Sequence, residues 1–503
     1  MLRPLLSALL ALLVAGTPAL SRADTIADTA RTAQKMESLR AHPEKLLQFL
    51  AALPKGGDLH NHADGSVAAE DMLAWAIADN ACYVPATFAL DEACGPLSQP
   101  LTTGIAQNPN LSADIVRALS MDTFSSKTES GHDHFFATFN KFGSVAGKHR
   151  DRVLAAATAD AARTGVSYLE LMTAIDAGAA IGAARSGAAV HPFDPADLAA
   201  DDAALDATFS TLVPTVVADA HAEEAARRAA LGCATPAPDP GCRVTVRYIQ
   251  SVLRVLPAAA VFSQTRLAFE LANTPGSGFV AINYVAPEDD AVAVRDYALH
   301  MRIVSYFHRK YPRVAITLHA GEITPAIAAP AALRDHIRQA IEVAGATRIG
   351  HGVDVLGERD APELLAEMAR KRILVEIALT SNDVILNVRG KAHPLPAYLA
   401  AGVPIALVTD DASVSRTDFN HEFLRATLTY GFTYRQLKSF IRNSVHYGFL
   451  PGASLWTNDR YMTLAAACTN LDAASCAAYR SNNPKAEAEW TLEKQLRTFE
   501  HTI

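Results

Sequence analysis

The chain has 503 residues, half of them hydrophobic and 19% charged, enough apolar material for one large decorated core or two to three average domains. Its net charge is −8 and no strong basic block interrupts it. That balance excludes the electrostatic footprint of a polymeric nucleic-acid binder.

Residues 1–23, "MLRPLLSALLALLVAGTPALSRA", combine one early Arg, a short apolar run, a Gly/Pro break and small residues at Ser21 and Ala23. This pattern reads as a secretory signal peptide. The run is too short to span a bilayer comfortably, and no Cys follows it closely for lipidation. The expected mature chain begins near Asp24, carries no membrane span, and is exported to a periplasm or the extracellular medium.

Residues 24–53 form an expected N-terminal helical extension, interrupted at Pro43. From Gly56 onward, eight apolar runs read as strands: 56–62, 166–173, 243–253, 278–286, 313–322, 348–355, 373–382 and 404–413. Between the later runs lie amphipathic segments at 289–311, 327–345 and 360–372. Strand–helix alternation implies a parallel sheet, and eight such units predict an α/β fold, a (β/α)₈ TIM-type barrel. The polar residues agree, because His60/His62, His319/Glu322, His351 and Asp410/Asp411 each fall where an apolar run ends. A barrel collects its chemistry at those ends, whereas an open doubly wound sheet places it at a switch point.

Two intervals, near 80–130 and 186–242, exceed simple βα connections and read as surface insertions on a barrel spanning 54–450. Residues 451–503 form a C-terminal helical extension. The six cysteines fall as close pairs, Cys82/Cys94, Cys233/Cys242 and Cys468/Cys476. None has CxxC spacing, so zinc-ribbon and thioredoxin readings fail. In an exported chain such pairs read as disulfides stapling small loops; spacing does not fix the connectivity, and nearest-neighbour pairing is the expected arrangement.

"PKGGDLHNHADGS" (54–66) places His60 and His62 two apart at the end of a strand, so both imidazoles face one side. Alone, such a pair is weak, since an isolated His is usually structural and paired acids usually cap a turn. Joined by "TLHAGE" (317–322), "GHG" around His351 and "LVTDDAS" (407–413), the four motifs describe a site. Three neutral imidazoles and a carboxylate suit zinc with room left for a water, whose pKa the ion lowers toward ~7. Glu322 is then placed to carry a proton, and His351 to orient the water or take its proton.

"DLHNHADGS", "TLHAGE", "RIGHG" and "TDD" together resemble the adenosine/AMP deaminase family of metal-dependent hydrolases, from about residue 54 to at least 413. The leader and cysteine pairs make the chain similar to its exported, growth-factor-like branch. The other zinc-deaminase signature, H-x-E with P-C-x-x-C, does not occur. The resemblance implies one zinc per chain, held by His60, His62, His319 and Asp410. It implies that Glu322 protonates purine N1 during attack on C6, that His351 stabilises or deprotonates the attacking water, and that Asp411 hydrogen-bonds N7. Asp64 would meet the ribose 5′-hydroxyl and repel a 5′-phosphate, favouring adenosine or 2′-deoxyadenosine over AMP; its alternative role is to cap the turn before Gly65.

The chain also departs from the family pattern. Ala286 stands where Gly is usual, its N–H expected to face purine N3, and Asn283 replaces a common Asp. "EIALTSN" lacks the usual Cys-Pro, and Ala412 replaces a frequent Pro. The expected partner is a small purine nucleoside, with a homodimer left open. The rival functions are deamination of another 6-aminopurine (AMP or an N6-modified nucleoside), hydrolysis of an amide or phosphoester, and a secreted binding or signalling protein on the same barrel.

Overall fold

The structure, a computed structural model, describes residues 22–503. The leader assigned to residues 1–23 lies outside the described residues except for its last two positions. In chain order the strands are β1 (Gly56–His62), the short β2 (Cys82–Val84), β3 (Ala89–Asp91) and β4 (Gln99–Pro100), then β5 (Val166–Thr173), β6 (Thr245–Leu253), β7 (Phe279–Val285), β8 (Ala315–Ala320), β9 (Arg348–His351), β10 (Leu374–Ile377) and β11 (Ile405–Leu407). β1 and β5 to β11 pair in sequence, every pair parallel. The seam between β11 and β1 is drawn together by a parallel bridge between Asn61 and Asp410. There the Asp410 N–H donates to the His60 carbonyl at 2.8 Å. The result is the expected (β/α)₈ barrel, nearly closed.

Parallel strands are covered on both faces, so they read as continuous apolar runs. β9, β10 and β11 are buried throughout. The strands stop earlier than the apolar runs suggest. His351 and Gly352 take φ of 67° and 58°, and Asp410 takes 60°, outside the β region, so the chain turns over the barrel mouth at these residues. Residues 378–382, expected to extend a strand, instead lead into the helix Leu379–Leu386.

Pro43 opens the helix Pro43–Ala52 after the helix Arg22–Leu39. A missing N–H costs nothing in a first helical turn. The first helix pair packs beside the C-terminal helix Pro484–Thr502, with Phe49 edge-on to Phe499; Lys438, on the helix Tyr434–His446, pairs with the buried Glu500 of that C-terminal helix at 2.6 Å. In the first long interval β3, β2 and β4 form an antiparallel side sheet, stapled by Cys82–Cys94. In the second, the helix Leu198–Ala230 is followed by the loop that Cys233–Cys242 closes. Cys468–Cys476 bonds within the tail. All three expected pairings are present. Among the described residues no helix is long and apolar enough to cross a membrane.

Candidate active site

β1 carries His60 and His62 on one face, β8 brings His319, and the turn after β11 brings Asp410. The His60 and His62 Nε2 atoms lie 3.1 and 3.3 Å from His319 Nε2, and 3.3 and 3.2 Å from Asp410 Oδ1. A tetrahedron of ligands at about 2.0–2.1 Å from zinc has edges of about 3.3–3.4 Å, so the donor atoms are already spaced for one cation. Asp410 Oδ1 is buried and has no hydrogen-bond partner. Glu376 Oε2 accepts from His60 Nδ1 at 2.7 Å. Since a carboxylate only accepts, His60 carries its proton on Nδ1 and turns an Nε2 lone pair to the cluster. The side-chain amide of Asn283 lies against His319 Nδ1, and Asn283 Oδ1 accepts the His319 backbone N–H at 3.1 Å. The residues fit a divalent metal.

The charges around this cluster are separated by environment. Burial raises the Asp410 pKa, but the His60 and His62 rings beside its carboxylate outweigh it and hold Asp410 well below the usual carboxylate range. Burial, reinforced by the Asp410 charge, pushes Glu322 well above that range. Burial, and Asp410 against the opposing pull of His62, pushes Asp411 up to about 8. Burial lowers His351 to about 3 and drives His319 well below its ordinary value. Burial lowers the His60 pKa, but the Asp410 and Glu376 carboxylates more than offset it and raise His60 to about 10, and His62 is raised as well. One carboxyl group held low, two pushed high and imidazoles shifted in both directions therefore surround one cluster. Such a division of states is what acid–base chemistry on a substrate requires.

Glu322 and His351 come together at the mouth, Glu322 Oε1 lying 3.6 Å from His351 Nε2. Glu288 anchors the turn beneath Glu322 by accepting the Gly321 and Glu322 N–H groups at 3.0 and 2.8 Å. Asp411 packs against Gly65 so closely that a Cβ there would sit 1.7 Å from Asp411 Oδ1, which is why "ADGS" carries glycine. Asp64 is about half exposed and pairs with Arg150 at 2.5 Å. Arg150 also donates to Thr173 Oγ1. Ala286 follows β7 at φ 80°, in the left-handed region that favours glycine, and its carbonyl accepts from Arg254 Nε at 2.8 Å.

The structure thus gathers all the expected metal ligands with Glu322, His351 and Asp411, and sets Asp64 in an ion pair. Sequence reading missed Glu376, Glu288, Arg254, Asn382 and His393. One signal was present: Glu376 interrupts the apolar run "LVEI", and a buried acid needs a partner.

Comparison with known proteins gives the family. The family profile described as adenosine deaminase matches residues 101–455, most of the chain. The adenosine deaminase of Shewanella loihica is 39% identical over 138 residues, covering 27% of this chain and 38% of that protein. The adenosine deaminase of Enterococcus faecalis is 32% identical over 138 residues, covering 27% and 37%. In these matches the chain spans less than two fifths of the length of the curated relatives. The crystal structure of an Arabidopsis N6-mAMP deaminase superimposes with a TM-score of 0.51 at 19% identity, over 80% of this chain and 96% of that one. Arabidopsis ADAL complexed with GMP gives 0.52 at 18%, over 80% and 94%. At these identities the structural matches establish the shared fold. By the profile match over most of its length, the chain belongs to the adenosine deaminase family.

Proposed function

We propose that the protein is an exported, zinc-dependent adenosine deaminase that converts adenosine and 2′-deoxyadenosine, with water, into the corresponding inosine and ammonia. The observation that carries this reading is the convergence of His60, His62, His319 and Asp410 beside a Glu322 that burial keeps protonated. Residues 54–450 are the deaminase unit in this reading. The disulfides and the leader pattern support export.

A zinc ion held by His60, His62, His319 and Asp410 would supply Lewis acidity, drawing the pKa of a water toward ~7. Glu322 gives its proton to purine N1 as oxygen adds to C6; without that protonation the aromatic C6 is a poor electrophile. N7 offers only a lone pair, so Asp411 must donate to it, as its protonated form does. The Ala286 N–H faces N3, and Asp64 with Arg150 faces the ribose 5′ end. One proton of the water restores Glu322 and the other reaches the amino nitrogen, so that collapse at C6 breaks the C–N bond, releases ammonia and leaves the carbonyl beside a protonated N1.

The Asp64–Arg150 pair favours a second reading. A lone carboxylate would repel a 5′-phosphate, whereas a neutralised one repels it less, which opens the site to AMP or an N6-modified nucleotide. Ammonia release from adenosine, 2′-deoxyadenosine and AMP at equal concentration separates the readings. Faster release from the two nucleosides is expected. A preference for AMP that Arg150→Met abolishes would establish the second reading.

A further inference from the structure

Behind His351, whose ring lies 5.0 Å from those of His60 and His319, runs a hydrogen-bonded row whose direction is fixed at one end. His393 Nδ1 lies 3.1 Å from the Leu395 backbone N–H, which can only donate. His393 Nδ1 is therefore an acceptor and the proton of its neutral ring sits on Nε2. That N–H points at Asn382 Oδ1, 3.0 Å away. Asn382 consequently turns its Nδ2 to His351 Nδ1, at 3.0 Å. His351 Nδ1 accepts, so the ring proton of His351 lies on Nε2, the atom that faces Glu322 and has no hydrogen-bond partner of its own.

We infer that the row Leu395 N–H, His393, Asn382 locks His351 as its Nε2–H tautomer, so that His351 donates a hydrogen bond to the oxygen adding at C6 instead of taking a proton from it. The role rests on the deaminase reading; the tautomer does not. Asn382 and His393 are positioning residues. A base at Nε2 would need its proton on Nδ1, facing the Asn382 amide N–H. Turning Asn382 over would set its N–H against the His393 N–H, and changing the His393 tautomer would set a ring N–H against Leu395. Every reversal leaves two donors face to face. Exposures of 1% for His351, 0% for Asn382 and 2% for His393 leave no solvent to absorb the mismatch. A neutral imidazole serving as hydrogen-bond donor to a reacting oxygen is established chemistry.

The tautomer is read by long-range proton–nitrogen NMR on zinc-loaded protein labelled with ¹⁵N-histidine, His351→Asn identifying the signal. The expected spectrum shows His351 with a protonated Nε2 and an unprotonated Nδ1; a protonated Nδ1 overturns the inference. Asn382→Asp tests the role by placing an acceptor at Nδ1, which draws the ring proton from Nε2 to Nδ1. It is expected to lower kcat by about 10²-fold, the scale of losing one oxyanion donor, with KM and zinc content unchanged. Unchanged or higher kcat means that His351 is a base and overturns the inference. Should Asn382→Asp not fold, His393→Leu is expected to lower kcat and His393→Gln, which keeps an N–H near Nε2, to restore it; equal kcat in both overturns the positioning role. Because the spectrum is recorded without substrate, failure of adenosine deamination would sink the proposed function and leave the tautomer result standing.

Discussion

His60 is held from behind as firmly as it is presented in front. Its Nδ1 is fixed by Glu376, whose other oxygen accepts from Thr317 Oγ1 at 2.9 Å and Arg348 Nε at 2.6 Å. Burial raises the Glu376 pKa, but the Arg348 charge together with His60 and Thr317 outweighs this and lowers it. An anionic partner strengthens an imidazole as a ligand, and losing one costs about 10–100-fold in metal affinity. Glu376→Gln is therefore expected to weaken zinc binding by that factor in chelator competition; unchanged affinity would contradict this role. Ala286 is the residue-scale departure with an energetic consequence. A left-handed φ costs an L-residue roughly 1–2 kcal/mol, while added glycine freedom in the unfolded chain costs ~0.4–1 kcal/mol. Relief of the strain outweighs that cost, so Ala286→Gly should raise stability by about 1 kcal/mol in a denaturant titration. Lower stability would contradict it.

The elements were legible where one physical rule governs them. Parallel strands buried on both faces give apolar runs, and β5, VSYLELMT, begins and ends where its run does. The motifs proposed to hold the metal stand out in the sequence because they sit at strand ends, and the structure brings their side chains together. What could not be read are partnerships across the chain: Glu376 meets His60 316 positions away, and Arg150 meets Asp64 86 positions away. Nor does hydropathy fix where a buried strand gives way to a helix: the run ILVEIAL reaches Leu379, and from Leu379 onward, through Thr380, Ser381 and Asn382, the chain is helical. The side sheet shows an element held by a covalent tie. Cys82 lies in β2, and its bond to Cys94 closes a 12-residue separation, a loop worth about 3 kcal/mol in the chain-entropy account. Replacing both by Ser should lower the melting temperature and leave zinc content unchanged, because neither cysteine supports a ligand. Loss of zinc with the disulfide would tie this sheet to the metal centre.

At the scale of the whole molecule, the proposed metal site and the last seam of the barrel coincide. Asp410 offers Oδ1 to the ligand cluster, and its backbone bridges Asn61 and bonds to His60. A ligand at 1,000 times its Kd stabilises a fold by about 4 kcal/mol. Chelation should accordingly lower the melting temperature as well as abolish activity, and zinc should restore both. Loss of activity with an unchanged melting temperature would separate the site from the seam.

In the proposed reaction Glu322 gives a proton to a purine held beside a metal cluster. Its most direct test is the ultraviolet spectrum of adenosine incubated with zinc-loaded protein, beside Glu322→Gln at matched zinc content. Conversion to inosine by the native protein is expected, with a rate about 10²–10⁴-fold lower in the variant, the range for a lost general acid. An unchanged adenosine spectrum with folded, zinc-loaded native protein, or equal rates from the two proteins, would contradict it.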